Sequence, residues 1–287
     1  MNRTDQALKP TQSHQPAGVV SAALPSRPET RTPSLVRRYF LYAVAPLAIL
    51  AVWSSITYGG IVSSDTMPSP SGLLERFKEL NTEGYRGVPL YEHAWVSLRR
   101  TMIGFAAAAI IAIPLGLLIG SVRWVHDLMS PVFSFIRPIP PIAFIPLAVL
   151  YLGLGEISKI VLIFFTALVY IVLNAEAGVQ SVPTVLIRAS ESMGLSRSQI
   201  LRLVILRGSM PSILSGVRTG LAVSWAVVVA AELIAAQSGL GFMISNAAAF
   251  FDLPAVFCGI LVIGLIGLLL DTAVLFLASR ILHWQGR

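Results

Sequence analysis

Long apolar runs separated by short polar stretches dominate the sequence from residue 39 onwards. Each run has about 20 residues, the length that an α-helix needs to cross the roughly 30 Å hydrocarbon core of a bilayer. The predicted transmembrane helices cover 39–58, 101–121, 132–153, 157–175, 213–236 and 255–279. The pattern therefore predicts an all-α membrane protein with about six transmembrane helices.

The composition of the whole chain is also that of a membrane protein. Hydrophobic residues make up 55% and charged residues 12% of the sequence, whereas soluble domains have about 25% charged residues. The single cysteine, Cys258, excludes an internal disulfide and a thiolate metal cluster. The histidines have no metal-ligand spacing; they are His14, His93, His126 and His283. We expect no metal and no cofactor in this chain.

The net charge of +7 reflects orientation in the membrane. Six spans place both termini on one side, and 15 of the 21 Lys and Arg residues, including Arg123 and Arg137, then lie on that side. The positive-inside rule makes this side cytoplasmic. Arg99 and Arg100, at the outer end of the second span, fit this orientation least well. The count predicts cytoplasmic N- and C-termini and no nucleic-acid partner.

Two polar regions precede the second span. Residues 1–36 are rich in Ser, Thr and Pro and have little to bury, so we expect a disordered cytoplasmic tail before a permease domain at 37–284. In the outer segment 59–92, Ser69-Pro70 is a helix start. Four residues form the apolar face of this short amphipathic helix: Leu73, Leu74, Phe77 and Leu80. It is either a surface helix on the outer ends of the spans or a docking surface for a soluble partner.

The segment 179–212 is moderately apolar, yet its charges argue against a further span. It holds four arginines, Arg188, Arg197, Arg202 and Arg207. At about 2.5–3.5 kcal/mol for each central Arg, crossing the bilayer would cost on the order of 10 kcal/mol. We therefore expect the segment to stay at the cytoplasmic face.

Turn signals within 179–212 predict two short helices. Pro183 lies near the start of the first, and Gly194 is typical of a left-handed helix stop. Ser196 and Gln199 have the capping-box spacing that opens the second helix, which Gly208 and Pro211 are expected to close. The alternative is a plain connecting loop, but most connections have only about 4–6 residues. A cytoplasmic protein partner would explain ordered, basic helices here.

One motif in this segment has a family resemblance. It reads Ala189-Ser190-Glu191-Ser192-Met193-Gly194-Leu195-Ser196, followed by Val204-Ile205-Leu206 and Pro211, and it resembles the cytoplasmic loop of ABC importer permeases. In that family the loop forms a coupling helix seated in a cleft of the ATPase subunit. The residues for which the resemblance implies an ATPase contact are Arg188, Ala189, Ser190, Glu191, Ser192, Met193, Gly194, Leu195, Ser196 and Arg197. Arg188 replaces the usual acidic residue, and Arg207 replaces a common Pro.

Further motifs are similar to the nitrate/sulfonate/taurine branch of that family, and most similar to its taurine and alkanesulfonate permeases. They are Arg137-Pro138-Ile139-Pro140-Pro141-Ile142-Ala143-Phe144-Ile145-Pro146-Leu147, Gly153-Leu154-Gly155-Glu156-Ile157-Ser158-Lys159, Ala230-Ala231-Glu232-Leu233-Ile234-Ala235-Ala236 and Gly239-Leu240-Gly241-Phe242-Met243. The resemblance covers about residues 40–284 and implies a type I importer fold in the inner membrane. The implied partners are a second copy of the chain, two cytoplasmic ATPases that bind ATP and Mg, and a periplasmic binding protein. Taurine or another sulfonate is the expected solute, with nitrate, an aromatic sulfonate or a vitamin precursor as alternatives.

Several residues at membrane depth are candidates for lining a pathway. Pro138, Pro140 and Pro141 remove backbone donors and bend the helix, either beside a cavity or only for packing. Asn174, Ser224 and Trp225 are weaker candidates. A bare carboxylate would repel an anionic sulfonate, so Glu232 is interpreted as paired or hydrogen-bonded within the bundle rather than as a ligand. Asp271 is expected to pair with an Arg of the cytoplasmic loop.

Two other classes, a membrane enzyme and an ion-coupled secondary transporter, stay open as alternatives, but the sequence lacks the features typical of either. It has no G-x-x-x-x-G-K-[ST] loop, so ATP hydrolysis must come from another chain. No Ser/His/Asp set, Cys/His set or H-E-x-x-H motif points to a membrane enzyme. An ion-coupled secondary transporter would usually show an inverted repeat and its own coupling carboxylates, and no convincing repeat is present. The sequence thus predicts a non-catalytic permease subunit.

Overall fold

A computed structural model describes residues 35–60, 62 and 67–283, with side chains from Val44 onwards. The predicted disordered tail lies almost entirely outside the described residues. The chain divides into two compact units, Met1–Ala51 and Val52–Arg287. The second unit contains the helix bundle considered below.

Every described element is helical apart from an isolated bridge between Tyr85 and Val88. In chain order the helices are α1 (Leu35–Tyr58), α2 (Pro70–Thr82), α3 (Leu90–Ser121), α4 (Arg123–Ile136), α5 (Ile145–Leu152), α6 (Glu156–Gln180), α7 (Thr184–Ser192), α8 (Arg197–Ile200), α9 (Leu206–Ala235), α10 (Leu240–Ala249) and α11 (Leu253–Ile281). A 3₁₀ turn, Pro141–Phe144, precedes α5, and a π-helical turn, Leu201–Ile205, joins α8 to α9. The all-α prediction is confirmed.

Within the described residues, four helices are long and apolar enough to cross a membrane. They are α3, α6, the continuous helix Arg197–Ala235 and α11. The pair α4 and α5 makes a fifth span if its two parts, bent by 90°, are counted together. These match the second to sixth predicted spans, although α3 begins at Leu90, well before the predicted start at 101. Helix α1 lies at the first predicted span, and its described apolar part, Val44–Tyr58, is shorter than the others.

Helix α6 forms the centre of the bundle, between α3 and α9. Helix α3 carries a small residue at every fourth position: Gly104, Ala108, Ala112, Gly116 and Gly120. A Cβ added to Gly116 would lie 2.5 Å from the Cβ of Ala175 on α6, and one added to Gly216 on α9 would lie 2.5 Å from the Cβ of Asn174. Small residues let membrane helices approach this closely, so glycine at these positions sets the packing of the bundle.

Helix α2 is the predicted amphipathic helix of the outer segment. Ser69 caps it by accepting a hydrogen bond from the N–H of Gly72 at 3.2 Å. Of the four residues of its apolar face, Leu73 and Leu80 are buried, whereas Leu74 is 58% exposed and Phe77 is 43% exposed. The helix turns its buried edge towards α11, so its packed face is narrower than the sequence pattern.

Arg76 fastens α2 to the start of α11. Its guanidinium lies 2.5 Å from the carboxylate of Asp252, the N-cap residue of α11, and 2.7 Å from that of Glu79. Partial burial tends to lower the pKa of Arg76, but the hydrogen bonds to Glu79 and Asp252 outweigh it and leave the pKa above its ordinary value. The cation is therefore held firmly charged at this junction.

The sequence prediction for the end of the 179–212 segment was wrong. Gly208 and Pro211 do not close a short helix, because the chain continues as one helix of 39 residues from Arg197 to Ala235. Gly208 instead packs against Val182, where an added Cβ would lie 2.9 Å from a side-chain carbon. A helix of this length spans about 58 Å at 1.5 Å per residue, almost twice the bilayer core. Its first turns therefore extend beyond the membrane.

Candidate functional site

Three features lie at successive positions along α6, from its C-terminal end to its N-terminal end. The first is the segment around α7 and α8, which follows the C-terminal end of α6. The second is the break between α4 and α5, which lies beside the middle of α6. The third is a buried polar network at the N-terminal end of α6.

Residues 188–197, called the coupling segment after the role that the family resemblance implies, turn sharply at Gly194. The N–H of Leu195 donates to the carbonyl of Ser190 at 3.1 Å, and the N–H of Gly194 donates to that of Glu191 at 2.9 Å. These are the two hydrogen bonds of a Schellman motif, with Gly194 at φ +79°. An L side chain is strained in this conformation. The predicted left-handed stop at Gly194 is confirmed.

The next helix opens immediately after this turn. Ser196 Oγ accepts from the N–H of Gln199 at 3.4 Å, and Gln199 Oε1 accepts from the N–H of Ser196 at 2.8 Å. The reciprocal pair is the capping box that the spacing predicts. Because both sides of Gly194 are fixed by hydrogen bonds, α7 is held at a defined angle to the long helix.

The coupling segment presents an exposed surface with apolar side chains. Of its ten residues, all but Ser190 and Leu195 are exposed. Met193 is 71% exposed, and Val185 and Leu186 on the same helix are 72% and 52% exposed. An open cavity with a volume of about 640 Å³ lies between α7 and the π-helical turn. Its lining includes Ala189, Met193 and Arg207. Contiguous exposed apolar side chains with basic neighbours are typical of a protein-docking surface.

The proline-rich stretch breaks the helix at membrane depth, as predicted. Helix α4 ends at Ile136, and the chain turns through 90° before α5. Pro138 and Pro140 are exposed, and Pro141 is partly buried at the start of the 3₁₀ turn. Phe144 packs edge-on against Phe165 of α6, with ring centroids 5.4 Å apart. The break therefore leaves its prolines on the surface of the protomer while α5 stays attached to α6.

A buried polar network joins the first third of α3 to the start of α6 and the end of α9. Arg100 of α3 is 1% exposed, and its guanidinium donates to Glu232 of α9 at 2.6 Å and to Glu156 of α6 at 2.5 and 2.7 Å. Ser97 Oγ lies 2.7 and 2.9 Å from the two carboxylate oxygens of Glu232. The prediction that Glu232 is paired within the bundle is confirmed. The network ties three helices together at one end of the molecule.

The turn between α9 and α10 closes over this network. Arg100 also donates to the carbonyl of Ser238 at 2.8 Å, and the N–H of Gly241 donates to Glu232 at 3.0 Å. Gly239 has φ +114°, and a Cβ there would collide with the carboxylate of Glu232. Glycine is therefore required at 239 by the contact of this turn with the network.

The remaining pathway candidates lie at different depths in the protomer. Ser224 is fully buried and directs its hydroxyl to the carbonyl of Ile163 at 3.4 Å. Trp225 is buried and donates to the carbonyl of Ile263 at 3.2 Å, beside a hollow of about 220 Å³. Asn174 is only partly buried. Among these candidates, Asn174 and the prolines reach the surface of the described protomer, whereas Ser224, Trp225 and Glu232 lie within the helix packing.

Two further ion pairs involve acidic residues in the spans. Asp271 of α11 forms two hydrogen bonds with Arg218 of α9, at 2.5 and 2.8 Å. Its partner is therefore in the membrane part of the long helix rather than in the cytoplasmic turn region. Glu176 of α6 lies 2.9 Å from the ring of His126 on α4. In the described part of the chain, no three His, Cys, Asp or Glu side chains form a group that could hold a metal ion.

Sequence reasoning missed Arg100 and Ser97 as functional residues. The partners of Arg100 are 56 and 132 residues away along the chain, so no local motif connects them. The sequence held one sign of this role, because Arg100 is predicted to lie on the outer side of the membrane although the positive-inside rule favours Lys and Arg on the inner side. A cation on the less basic side of a membrane helix calls for a buried partner, and Glu232 and Glu156 supply it.

The bundle and its coupling segment define a membrane transport subunit. Residues 112–283 match the family described as binding-protein-dependent transport system inner membrane component. The chain belongs to this family, and it is a multi-pass membrane permease rather than an enzyme.

Individual relatives place it more narrowly. The chain is 39% identical over 251 residues to the taurine transport system permease protein TauC of Escherichia coli (strain K12), which covers 87% of this chain and 91% of that protein. It is 34% identical over 248 residues to the nitrate import permease protein NrtB of Synechocystis sp. (strain ATCC 27184 / PCC 6803 / Kazusa), covering 83% and 88%. It is 32% identical over 241 residues to the putative aliphatic sulfonates transport permease protein SsuC of Bacillus subtilis (strain 168), covering 84% and 86%. These relatives confirm the nitrate/sulfonate/taurine branch.

A solved structure supports the fold independently. A chain of the MetNI methionine ABC transporter in an inward facing conformation superposes with a TM-score of 0.60 and 21% sequence identity. The match covers 67% of this chain and 95% of that chain. At this identity the likeness concerns the fold alone, and it confirms the type I importer permease architecture.

Proposed function

We propose that two copies of this chain form the translocation path of an ATP-binding-cassette importer for taurine or a related sulfonate. Two cytoplasmic ATPases, which bind ATP and Mg, supply the energy, and a periplasmic binding protein delivers the solute. The observation that carries the proposal is the coupling segment, a rigidly capped and exposed helix turn at one end of a membrane bundle. The identity to TauC over most of both chains supports the sulfonate assignment.

The geometry of α7 suits the transmission of force to the bundle. Its C-terminus is fixed by the Schellman turn at Gly194, and Ile200 in the following helix is buried. The next helix continues without interruption to Ala235 beside the polar network. A displacement of α7 by an ATPase would therefore tilt a single helix that reaches the far end of the bundle. This continuity supports an ATPase-coupling role for residues 188–197.

The orientation follows from the charges. The coupling segment and both termini are assigned to the cytoplasmic side of a bacterial inner membrane, because most Lys and Arg residues lie on that side. The polar network around Arg100 is assigned to the periplasmic side. With its guanidinium neutralised by two carboxylates, Arg100 no longer opposes this orientation.

A transport competition assay tests the substrate assignment. The permease is reconstituted in proteoliposomes with the ATPase and binding protein of its own system, and uptake of radiolabelled taurine is followed. An excess of unlabelled short alkanesulfonate should suppress uptake, whereas an equal excess of nitrate should not. Absence of taurine uptake together with uptake of labelled nitrate would reassign the system to nitrate, as the relative NrtB allows.

A further inference from the structure

Arg137 lies beside the middle of α6, and it has no side-chain partner among the residues that the structure describes. Arg137 follows the last residue of α4, at the break before α5, and is exposed on the protomer. Together with Pro141 it lines a small hollow whose opposite wall contains Thr166 and Tyr170 of α6. The hollow measures about 10 Å³, too small for a substrate, so it identifies the neighbours of Arg137 rather than a binding cavity.

These neighbours fix the depth of Arg137 in the bundle. Thr166 lies ten residues after Glu156, the first residue of α6, and Tyr170 lies ten residues before Gln180, the last. At 1.5 Å per residue, each is about 15 Å from the nearer helix end. That distance is half of the roughly 30 Å hydrocarbon core. Arg137 therefore lies level with the middle of α6, away from the inner end of the spans to which the charge count assigns it.

Three other cations in the spans have partners among the described residues. Arg100 is bound by Glu232 and Glu156, and Arg218 is bound by Asp271. Lys159 donates to the carbonyls of Leu154 and Gly155 at 2.8 and 3.0 Å. Among the described residues, the guanidinium of Arg137 has no hydrogen bond or ion pair.

An unpaired arginine at this depth is costly if it faces lipid. Membrane transporters place such charges against water-filled cavities, and they place substrates at broken helices near the midplane. The planar guanidinium donates two parallel hydrogen bonds to an oxyanion. A polar stripe runs along the facing helix through Thr166, Tyr170 and Asn174, and the amide of Asn174 donates to the carbonyl of Tyr170 at 2.8 Å. Taurine, other sulfonates and nitrate each carry an oxyanion that can accept these two hydrogen bonds.

We propose that Arg137, held at mid-depth by the break between α4 and α5, binds the anionic group of the solute as it crosses the path. The inference rests on the proposed importer function and adds a substrate-contacting residue to it. It places the solute's sulfonate against the surface where Pro138 and Pro140 are exposed.

Thiol labelling tests the geometry without requiring transport. The chain's single cysteine, Cys258, is buried, so Cys258→Ala gives a background for Arg137→Cys. A membrane-impermeant, negatively charged reagent, sulfonatoethyl methanethiosulfonate, should label this cysteine in the assembled complex. Ile110→Cys, at a position on α3 that is 74% exposed and expected to face lipid, should resist labelling. Failure to label Arg137→Cys would show that the position faces no water and would overturn the proposal.

Transport assays test the chemistry. In proteoliposomes with the ATPase and binding protein, Arg137→Gln should lower taurine uptake by roughly tenfold or more, as loss of a hydrogen bond to a charged group predicts. ATP hydrolysis stimulated by the loaded binding protein should persist, and Arg137→Lys should recover part of the uptake. Arg123→Gln, a matched exposed arginine at the other end of α4, should behave as wild type. Wild-type uptake by Arg137→Gln would overturn this inference alone, whereas absence of anion uptake by the wild-type complex would overturn the proposed function.

Discussion

Arg100 is a buried charged residue, and its charge is balanced by the carboxylates that it contacts. Its side chain is 2% exposed and that of Glu232 is 0% exposed, so neither charge has water to replace a lost partner. Removing one member of a buried ion pair leaves an uncompensated charge. The stability of this end of the bundle is therefore tied to the pair.

The first prediction follows from this pair. Arg100→Gln should destabilise the purified permease by about 3–5 kcal/mol, because the carboxylate of Glu232 stays buried without its cation. Thermal unfolding in detergent measures the loss. Arg99→Gln, a change at the exposed neighbouring residue, is the control and should have little effect. The double variant with Glu232→Gln should recover part of the loss, and a stable Arg100→Gln would contradict this account of the network.

Gly194 supplies the second prediction at this scale. Its φ of +79° suits glycine, and no atom lies within 4 Å of an added Cβ, so a side chain there acts through backbone strain alone. Gly194→Val should re-aim α7, while the protein still inserts and assembles as a dimer. It should lose copurification of the ATPase or uncouple hydrolysis from uptake. Ser196→Ala, which removes a cap worth about 0.5–2 kcal/mol, should have a milder effect.

A matched substitution separates strain from surface contact. Asparagine tolerates the left-handed conformation, so Gly194→Asn should retain ATPase binding although its side chain is large. If Gly194→Val and Gly194→Asn both lost the ATPase, the side chain rather than the backbone would be responsible. Normal copurification and uptake with Gly194→Val would end the coupling-helix hypothesis.

At the scale of elements, the bundle depends on close approach of α3 and α9 to α6. Gly116→Leu should destabilise the fold, since even a Cβ would lie 2.5 Å from Ala175 and 2.8 Å from the carbonyl oxygen of Val172. Overpacking a core costs about 1–3 kcal/mol, measured as a fall in thermal midpoint or monodispersity in detergent. Gly264→Leu on α11, where no atom lies within 4 Å, is the control. Equal stability of the two variants would contradict the proposed packing.

The elements also show what the sequence could and could not predict. Hydropathy located the spans, and local turn chemistry at Ser69, Gly194 and Ser196 located helix ends, because both signals act over a few residues. The continuation of the helix past Gly208 could not be predicted locally. A π-helical turn and packing against Val182 override the breaking tendency of Gly208 and Pro211.

The parts of the candidate site that are held by contacts between near neighbours in the chain could be predicted from the sequence, whereas the parts held by distant residues could not. The coupling segment is held by hydrogen bonds between residues at most five apart, and its geometry matched the sequence pattern. The network around Arg100 joins three helices that are distant in the chain, and only Glu232 was anticipated. The depth of Arg137 depends on the 90° bend between α4 and α5, whose size a run of prolines does not determine.

At the scale of the whole molecule, the account requires one orientation. Reporter fusions after Arg38 and after Arg287 should report the cytoplasm, and a fusion within 80–90 should report the periplasm. The reason is the excess of Lys and Arg on the side of the termini. Activity of paired alkaline phosphatase and fluorescent-protein reporters at each site measures this. A periplasmic C-terminus would contradict the arrangement of spans.

The proposed function makes this chain a permease that works only with a separate ATPase. Taurine uptake into proteoliposomes, measured with the chain alone and with its ATPase and binding protein, tests this dependence. We expect no ATP hydrolysis by the chain alone, and uptake only when both partners and ATP are present. Uptake by the chain alone, driven by a proton or sodium gradient without ATP, would contradict the account and identify a secondary transporter.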